Sequence, residues 1–203
     1  MRLFHSPASP FVRKVVVLLH ELDKTDEVAL DLIQTTAFAS DAALMASNPL
    51  AKIPALVRPD GITLYDSRVI CQYLNDRFQG GLYPQDTRKW ETLTLEATAD
   101  GIMDSAVSMA YEVRLRPQAQ QSQDWIEAQW AKVSRAIGSL NERWISHLSG
   151  PLDMGQIGIA CALGYVDFRH GARNWRDGND ALAKWYAEFD SRPSMQATRP
   201  PAA

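Results

Sequence analysis

The sequence predicts an α/β domain with the element order βαβαββα, followed by an all-α domain, and three observations predict it. Through residue 78, short strand-like runs alternate with segments of helical periodicity. From about residue 87 no strand pattern returns, and apolar residues repeat at intervals of three and four. Between the two, Gln79-Gly80-Gly81 ends a helix and Leu82-Tyr83-Pro84-Gln85-Asp86 reads as a linker. The expected domains are therefore 1–81 and 87–203.

Arg2-Leu3-Phe4-His5 is the first strand, and Ser6-Pro7-Ala8-Ser9-Pro10 is a loop. Over 11–22, Phe11, Val15, Leu18, Leu19 and Leu22 share one helical face. Ser9 is the natural N-cap, and Pro10 fits the first helical position, where a missing N–H costs nothing. A second strand is expected over 28–33, completing a βαβ unit with a right-handed crossover. A short helix is expected over 41–47. Runs 55–57 and 62–64, separated by Arg58-Pro59-Asp60-Gly61, read as an antiparallel hairpin, and a helix follows over 67–78. This order is the thioredoxin-like arrangement.

In the second domain a long helix runs over 87–115 until Arg116-Pro117 stops it, with Gly101 suggesting a close approach or a bend. The next helix carries Trp125 or Ile126, then Trp130, Val133, Ile137, Leu140 and Trp144 at helical spacing, and its tryptophans read as core. After Gly150-Pro151, Asp153 and Gln156 have capping-box spacing, with Leu152 and Ile157 placed as a hydrophobic staple. Ile157, Ala160, Cys161, Gly164, Tyr165 and Phe168 then make one face. A last helix over 181–190 buries Leu182, Trp185, Tyr186 and Phe189, and the tail beyond reads as irregular.

A chain of 203 residues with 46% apolar and 22% charged side chains has the composition of a soluble globular protein. A net charge of −3 and the lack of a basic cluster argue against nucleic acid as a partner. The two cysteines, Cys71 and Cys161, lie far apart in helical segments, which is neither a disulfide framework nor a metal site. Both read as buried small hydrophobes in a reducing compartment. With no signal-peptide pattern at the N-terminus and no apolar run of about 18–20 residues, a cytoplasmic protein without a membrane span or a metal is expected.

The chemistry-bearing stretch is Asn48-Pro49-Leu50-Ala51-Lys52-Ile53-Pro54 and, past the hairpin, Tyr65-Asp66-Ser67. Pro54 cannot donate to a sheet ladder, so it belongs at a strand start or edge. A cis Ile53-Pro54 bond would let the Ile53 N–H and C=O face outward, where an extended ligand pairs as an added strand does. Lys52 offers a cation for a carboxylate. Asp66 and Ser67 open a helix, whose free N–H groups favour anions, and Asp66 supplies a carboxylate for an amine. By itself Asp66-Ser67 is also ordinary capping chemistry.

This constellation resembles the glutathione-binding half of the glutathione S-transferase superfamily. The resemblance implies a cis proline at Pro54 and pairing of Ile53 with the cysteinyl backbone of glutathione. It also implies that Asp66 and Ser67 hold the γ-glutamyl group and that Lys52 meets the glycyl carboxylate. Ser9-Pro10-Phe11-Val12-Arg13-Lys14-Val15 looks like the serine-type bacterial members, which places Ser9 near the thiol. Ser6 is the rival on the same loop, His5 reads as structural, and Gln34 or Thr35 is a weaker contact. The Asp153 and Gln156 pair is similar to the family's capping box, which more usually has Ser or Thr followed by Asp. Ala99-Asp100-Gly101-Ile102-Met103-Asp104 implies a helix lining the subunit interface and the electrophile cleft. Asp100 would reach the partner's γ-glutamyl amine, unless it and Asp104 are simply a solvated acidic face. Met103, Val107 and Tyr111 share another face, placed to line an apolar pocket, although the first two read rather as core.

The expected function is a homodimeric glutathione transferase that activates its co-substrate for attack on a small apolar electrophile. An unperturbed thiol has a pKa of about 8.5, and lowering it by about two units takes roughly 2.7 kcal/mol. A hydroxyl donating to the thiolate supplies about 1.5–3 kcal/mol and a helix N-terminus about 0.3–1 kcal/mol, so Ser9 suffices in magnitude. The alternatives are a non-catalytic binding protein on the same fold and a glutathione-dependent isomerase or reductase. The lack of Cys-x-x-Cys disfavours a glutaredoxin-like role.

Overall fold

The structure, a computed structural model, describes residues 1–201. It resolves into two compact units: Met1–Asp86 with the chain from Pro193 on, and Thr87–Arg192.

The first unit contains β1 (Arg2–His5), α1 (Pro10–Glu21), β2 (Ala29–Leu32), α2 (Ala42–Ser47), β3 (Ala55–Val57), β4 (Thr63–Leu64) and α3 (Ser67–Phe78). The strands form one sheet in the order β2-β1-β3-β4. β1 runs parallel to β2 and antiparallel to β3, and β3 runs antiparallel to β4. The two-residue period of the strands sorts the core. Phe4 and its register partner Ala55 pack with Leu44 of α2. Leu3 and Leu56, the next partners, point to the other face and are fully buried, as are Val15 and Leu18 of α1 and Ile70 and Leu74 of α3. At the hairpin, Arg58 N–H donates to the Ile62 carbonyl (2.9 Å) and Gly61 takes φ +85°, a conformation that favours glycine.

The second unit is helical. It contains α4 (Lys89–Leu115), α5 (Gln123–Arg143), α6 (Ile145–Leu148), α7 (Met154–His170) and α8 (Asp180–Asp190). α7 is buried from Met154 through Val166 and packs along α4. At Gly155 the two helices come so close that a Cβ would lie 2.8 Å from the Leu95 Cβ. The expected capping box is present. The Asp153 carboxylate accepts the Gln156 N–H (3.0 Å), and the Gln156 side chain accepts the Asp153 N–H (3.2 Å). The second Asp153 oxygen accepts the Thr92 hydroxyl (2.8 Å) and lies 2.7 Å from His147 Nε2. α8 buries Leu182, Trp185, Tyr186 and Phe189, and Cys71 and Cys161 are buried and in no disulfide, all as expected.

Three expectations need correction. The tryptophans of α5 and its C-cap are not core: Trp125 is 48% exposed and Trp130 and Trp144 are half-buried, while Ile126, Val133, Ile137 and Leu140 make the buried stripe. Gly101 does not mark a close approach, since a Cβ there would meet nothing, and α4 continues through it. The tail is not wholly irregular, because Pro193–Ala197 forms a last helix, α9. Arg13, only 6% exposed, fastens it by donating to the Met195 carbonyl (3.0 Å) and the Thr198 hydroxyl (3.3 Å). Among the described residues no helix is long and apolar enough to cross a membrane.

Candidate functional site

Sheet direction brings the predicted residues of the first unit to one end. Phe4 pairs with Ala55, so the loop that leaves β1 through Ser6 and Ser9 lies beside the entry to β3 at Ile53 and Pro54. Leu56 pairs with Leu64, so β4 runs back to that end and delivers Asp66 and Ser67 there. β2 is parallel to β1 and ends on the same side, just before Gln34 and Thr35. Both α1 and α3 begin at this end, each presenting first-turn N–H groups.

The Ile53-Pro54 bond is cis, as is Tyr65-Asp66. Pro54 is buried and Ile53 half-buried, packed against the Phe4 cluster. Among the described residues no hydrogen bond engages the Ile53 N–H or C=O. The chain thus carries an unused donor and acceptor just before β3, the arrangement that takes an added strand. Lys52 beside it is exposed.

Asn48 builds the loop that carries these groups. Its side chain is 1% exposed, donates to the Lys52 carbonyl (2.8 Å) and accepts the Leu50 N–H (3.0 Å). Ala51 completes the turn at φ +50°. The sequence reading passed over both roles. An Asn two residues before Leu50 is a recognisable Asx-turn signal, whereas nothing in the sequence marks the left-handed alanine.

Asp66 caps α3. One carboxylate oxygen accepts the Arg68 N–H (3.0 Å) and the other meets the Arg68 guanidinium (3.1 Å). Partial burial pushes the carboxyl pKa up. The Arg68 side chain and the Arg68 and Val69 N–H groups together outweigh that and hold it below the usual carboxylate value. Asp66 is therefore ionised at neutral pH, with lone pairs to spare for a further donor. Ser67 is buried at the first position of α3.

Ser9 caps α1 by accepting the Val12 N–H (3.3 Å), and its own N–H donates to the Ser6 carbonyl (3.0 Å). A cap uses the hydroxyl oxygen as acceptor, so the hydroxyl hydrogen is available to a ligand. Ser6 and Ser9 are both half-buried. Burial pushes the His5 pKa below its ordinary value, against the pull of Asp31, which keeps a neutral imidazole beside this loop.

The α4 residues lie in the second unit. Asp100 is 8% exposed and Asp104 exposed, so the two do not make one solvated acidic face. Met103 is fully buried, Val107 half-buried and Tyr111 39% exposed. Gly101, Ile102, Asp104, Trp125 and Gln129 line a cleft of about 540 Å³ between α4 and α5.

Two family models match the chain, described as the glutathione S-transferase N-terminal domain over residues 3–81 and C-terminal domain over 123–188. The chain is 33% identical to the uncharacterized GST-like protein YibF of Escherichia coli K12, with 100% of each covered. Among solved structures, it is similar to a glutathione transferase family member from Pseudomonas fluorescens Pf-5 with bound glutathione. That match has 49% identity, 99% of each chain covered and a TM-score of 0.97. A structure of such a protein from the same organism with bound S-(propanoic acid)-glutathione matches at 46% identity, 100% of each chain and a TM-score of 0.92. A glutathione S-transferase from Methylobacillus flagellatus with glutathione bound matches at 34% identity, over 98% of this chain and 99% of that one, with a TM-score of 0.85.

Proposed function

The chain belongs to the glutathione S-transferase family, and from that premise we propose that it is a glutathione transferase acting on a small, largely apolar electrophile. Glutathione lies along Ile53, whose N–H and C=O pair with its cysteinyl backbone. Lys52 meets the glycyl carboxylate, and Asp66 and Ser67 hold the γ-glutamyl end. The Ser9 hydroxyl donates to the sulfur and holds it as thiolate, and the sulfur then attacks the electrophile. We further propose a homodimer in the cytoplasm.

One observation carries this reading: an unengaged backbone donor and acceptor at Ile53, flanked by a cation, an ionised carboxylate and a helix-capping serine at one sheet end. Each of these groups answers one part of a zwitterionic tripeptide thiol. The relatives that hold glutathione and an S-substituted glutathione support the ligand.

The test is calorimetric titration of glutathione into the wild type and Ser9→Ala, with ultraviolet difference spectra following the thiolate. Both proteins are expected to bind, and only the wild type to show thiolate near pH 7. Loss of one charge-assisted hydrogen bond raises the thiol pKa by about one to two units. Thiolate of equal amount in Ser9→Ala removes Ser9 from the role, and Ser6→Ala then becomes the informative variant. No binding by the wild type removes the peptide site.

A further inference from the structure

Asn48 stands behind the stretch assigned to glutathione rather than in it. It closes α2, its N–H donating to the Leu44 carbonyl (2.7 Å), and Leu44 is fully buried against Phe4 and Ala55 of the sheet. From that fixed base the carboxamide makes two bonds. Its oxygen accepts the Leu50 N–H (3.0 Å), and its nitrogen donates to the Lys52 carbonyl (2.8 Å). A backbone N–H can only donate and a carbonyl can only accept, so the two partners fix which way the carboxamide faces. The Asn48 carbonyl also accepts the Ala51 N–H (2.8 Å). Leu50, Ala51 and Lys52 are thus each tied to one buried residue.

The bond to Lys52 sets a direction as well as a loop. The Lys52 carbonyl and the Ile53 N–H are the two ends of one peptide group. That group is trans and planar, so its C=O and N–H point in opposite directions. Holding the carbonyl toward the buried Asn48 therefore turns the Ile53 N–H away from Asn48. Among the described residues no second donor reaches the Lys52 carbonyl, and no acceptor reaches the Ile53 N–H. One side chain thus supplies the hydrogen bond that orients this peptide. The same bond polarises the peptide group, which strengthens its N–H as a donor.

We propose that Asn48 is a positioning residue for glutathione: by holding the Lys52 carbonyl, it aims the Ile53 N–H at the cysteinyl carbonyl of the tripeptide. Asn48 itself touches no ligand atom. The role rests on the glutathione-binding site proposed above, to which it adds the residue that orients the central donor.

The experiment measures glutathione affinity by calorimetric titration of wild type, Asn48→Asp, Asn48→Ala and Asp41→Ala. Asn48→Asp keeps the size and an oxygen for the Leu50 N–H but loses the donor to Lys52, and Asn48→Ala loses both. Asp41→Ala removes the N-cap of the same helix, α2, and leaves the Lys52 carbonyl held, so it reads destabilisation alone. Both Asn48 variants are expected to bind glutathione about tenfold more weakly, the scale of one misdirected hydrogen bond, and Asp41→Ala to bind as the wild type does. A second measurement uses only the wild type, and so decides the matter even if the Asn48 variants fold poorly. In proton–nitrogen correlation spectra the Ile53 amide proton should move downfield as glutathione saturates the protein. The Asn48 carboxamide protons should exchange slowly with and without the ligand. If the wild type binds glutathione but Asn48→Asp binds it equally well, or Asp41→Ala loses as much affinity as the Asn48 variants, this inference alone is overturned. An Ile53 amide that does not respond, or rapid exchange of the Asn48 carboxamide in either state, overturns it as well. If glutathione does not bind the wild type, the proposed site and this role fall together.

Discussion

Asp66 holds the start of a helix and has, in addition, a proposed role toward a ligand. It caps α3 and pairs with Arg68, and it is the carboxylate we assign to the γ-glutamyl amine. Its folded-state pKa lies below the usual carboxylate value, because contacts with Arg68 and the Val69 N–H outweigh its burial. The unfolded chain, with an ordinary aspartate pKa near 3.9, binds the proton first as the pH falls. The Asp66 contribution to stability is therefore complete above that value and lost as the pH drops through the lower, folded one. Asp66→Asn keeps a capping oxygen and loses the charge. The difference in unfolding free energy between wild type and variant should stay flat from pH 7 to 5 and shrink below about pH 4. Urea unfolding at stepped pH measures it, and a difference that already shrinks near pH 6 would assign the effect to another group. The exposure of the Asp66–Arg68 pair keeps its net contribution small.

At the scale of the element, caps matter in proportion to what they bind. Asp41 caps α2 with one bond, to the Leu44 N–H (2.9 Å). Asp153 caps α7 and also takes the Thr92 hydroxyl and His147. Asp41→Ala should cost about 1 kcal/mol, the usual value of an N-cap. Asp153→Ala should cost about 3 kcal/mol, since it also leaves buried donors without a partner. Equal costs in urea unfolding would mean that the Thr92 and His147 contacts add nothing. The α7 cap was legible in the sequence because a capping box has fixed spacing, and the strands and α1 were legible because periods of two and 3.6 differ. Ile53, Lys52, Asp66 and Ser9 could be read together because short motifs carried them. Other features had no local signal. The five residues of α9 are too few to show a period, and Arg13 of α1 fastens them from far away in the chain. Trp125 and Trp130 fit the period loosely enough to read as core, yet the buried stripe runs through Ile126 and Val133 beside them.

At the scale of the whole chain, the segment from Pro193 returns to the unit that contains the first residues. Met195 is fully buried, Ser194 donates to the Glu21 carboxylate, and Arg13 is satisfied by the Met195 carbonyl and Thr198. Removing the chain from Pro193 on would take partners from a buried guanidinium and uncover apolar surface on α1, the helix whose N-terminus carries Ser9. Hydrogen exchange reads this locally, because amides open with the free energy of their own region. In the truncated protein, α1 amides should exchange about tenfold or more faster, corresponding to about 1.4 kcal/mol of lost local stability. Amides of α7, in the other unit and anchored by the Asp153 and Gln156 box, should keep their rates. Arg13→Gln in the full-length chain should move α1 in the same direction by less, since the apolar contacts of Met195 remain. Unchanged α1 rates in both proteins would mean that the tail only rests on α1, and that the stability of the Ser9 helix comes entirely from its packing on α3 and the sheet.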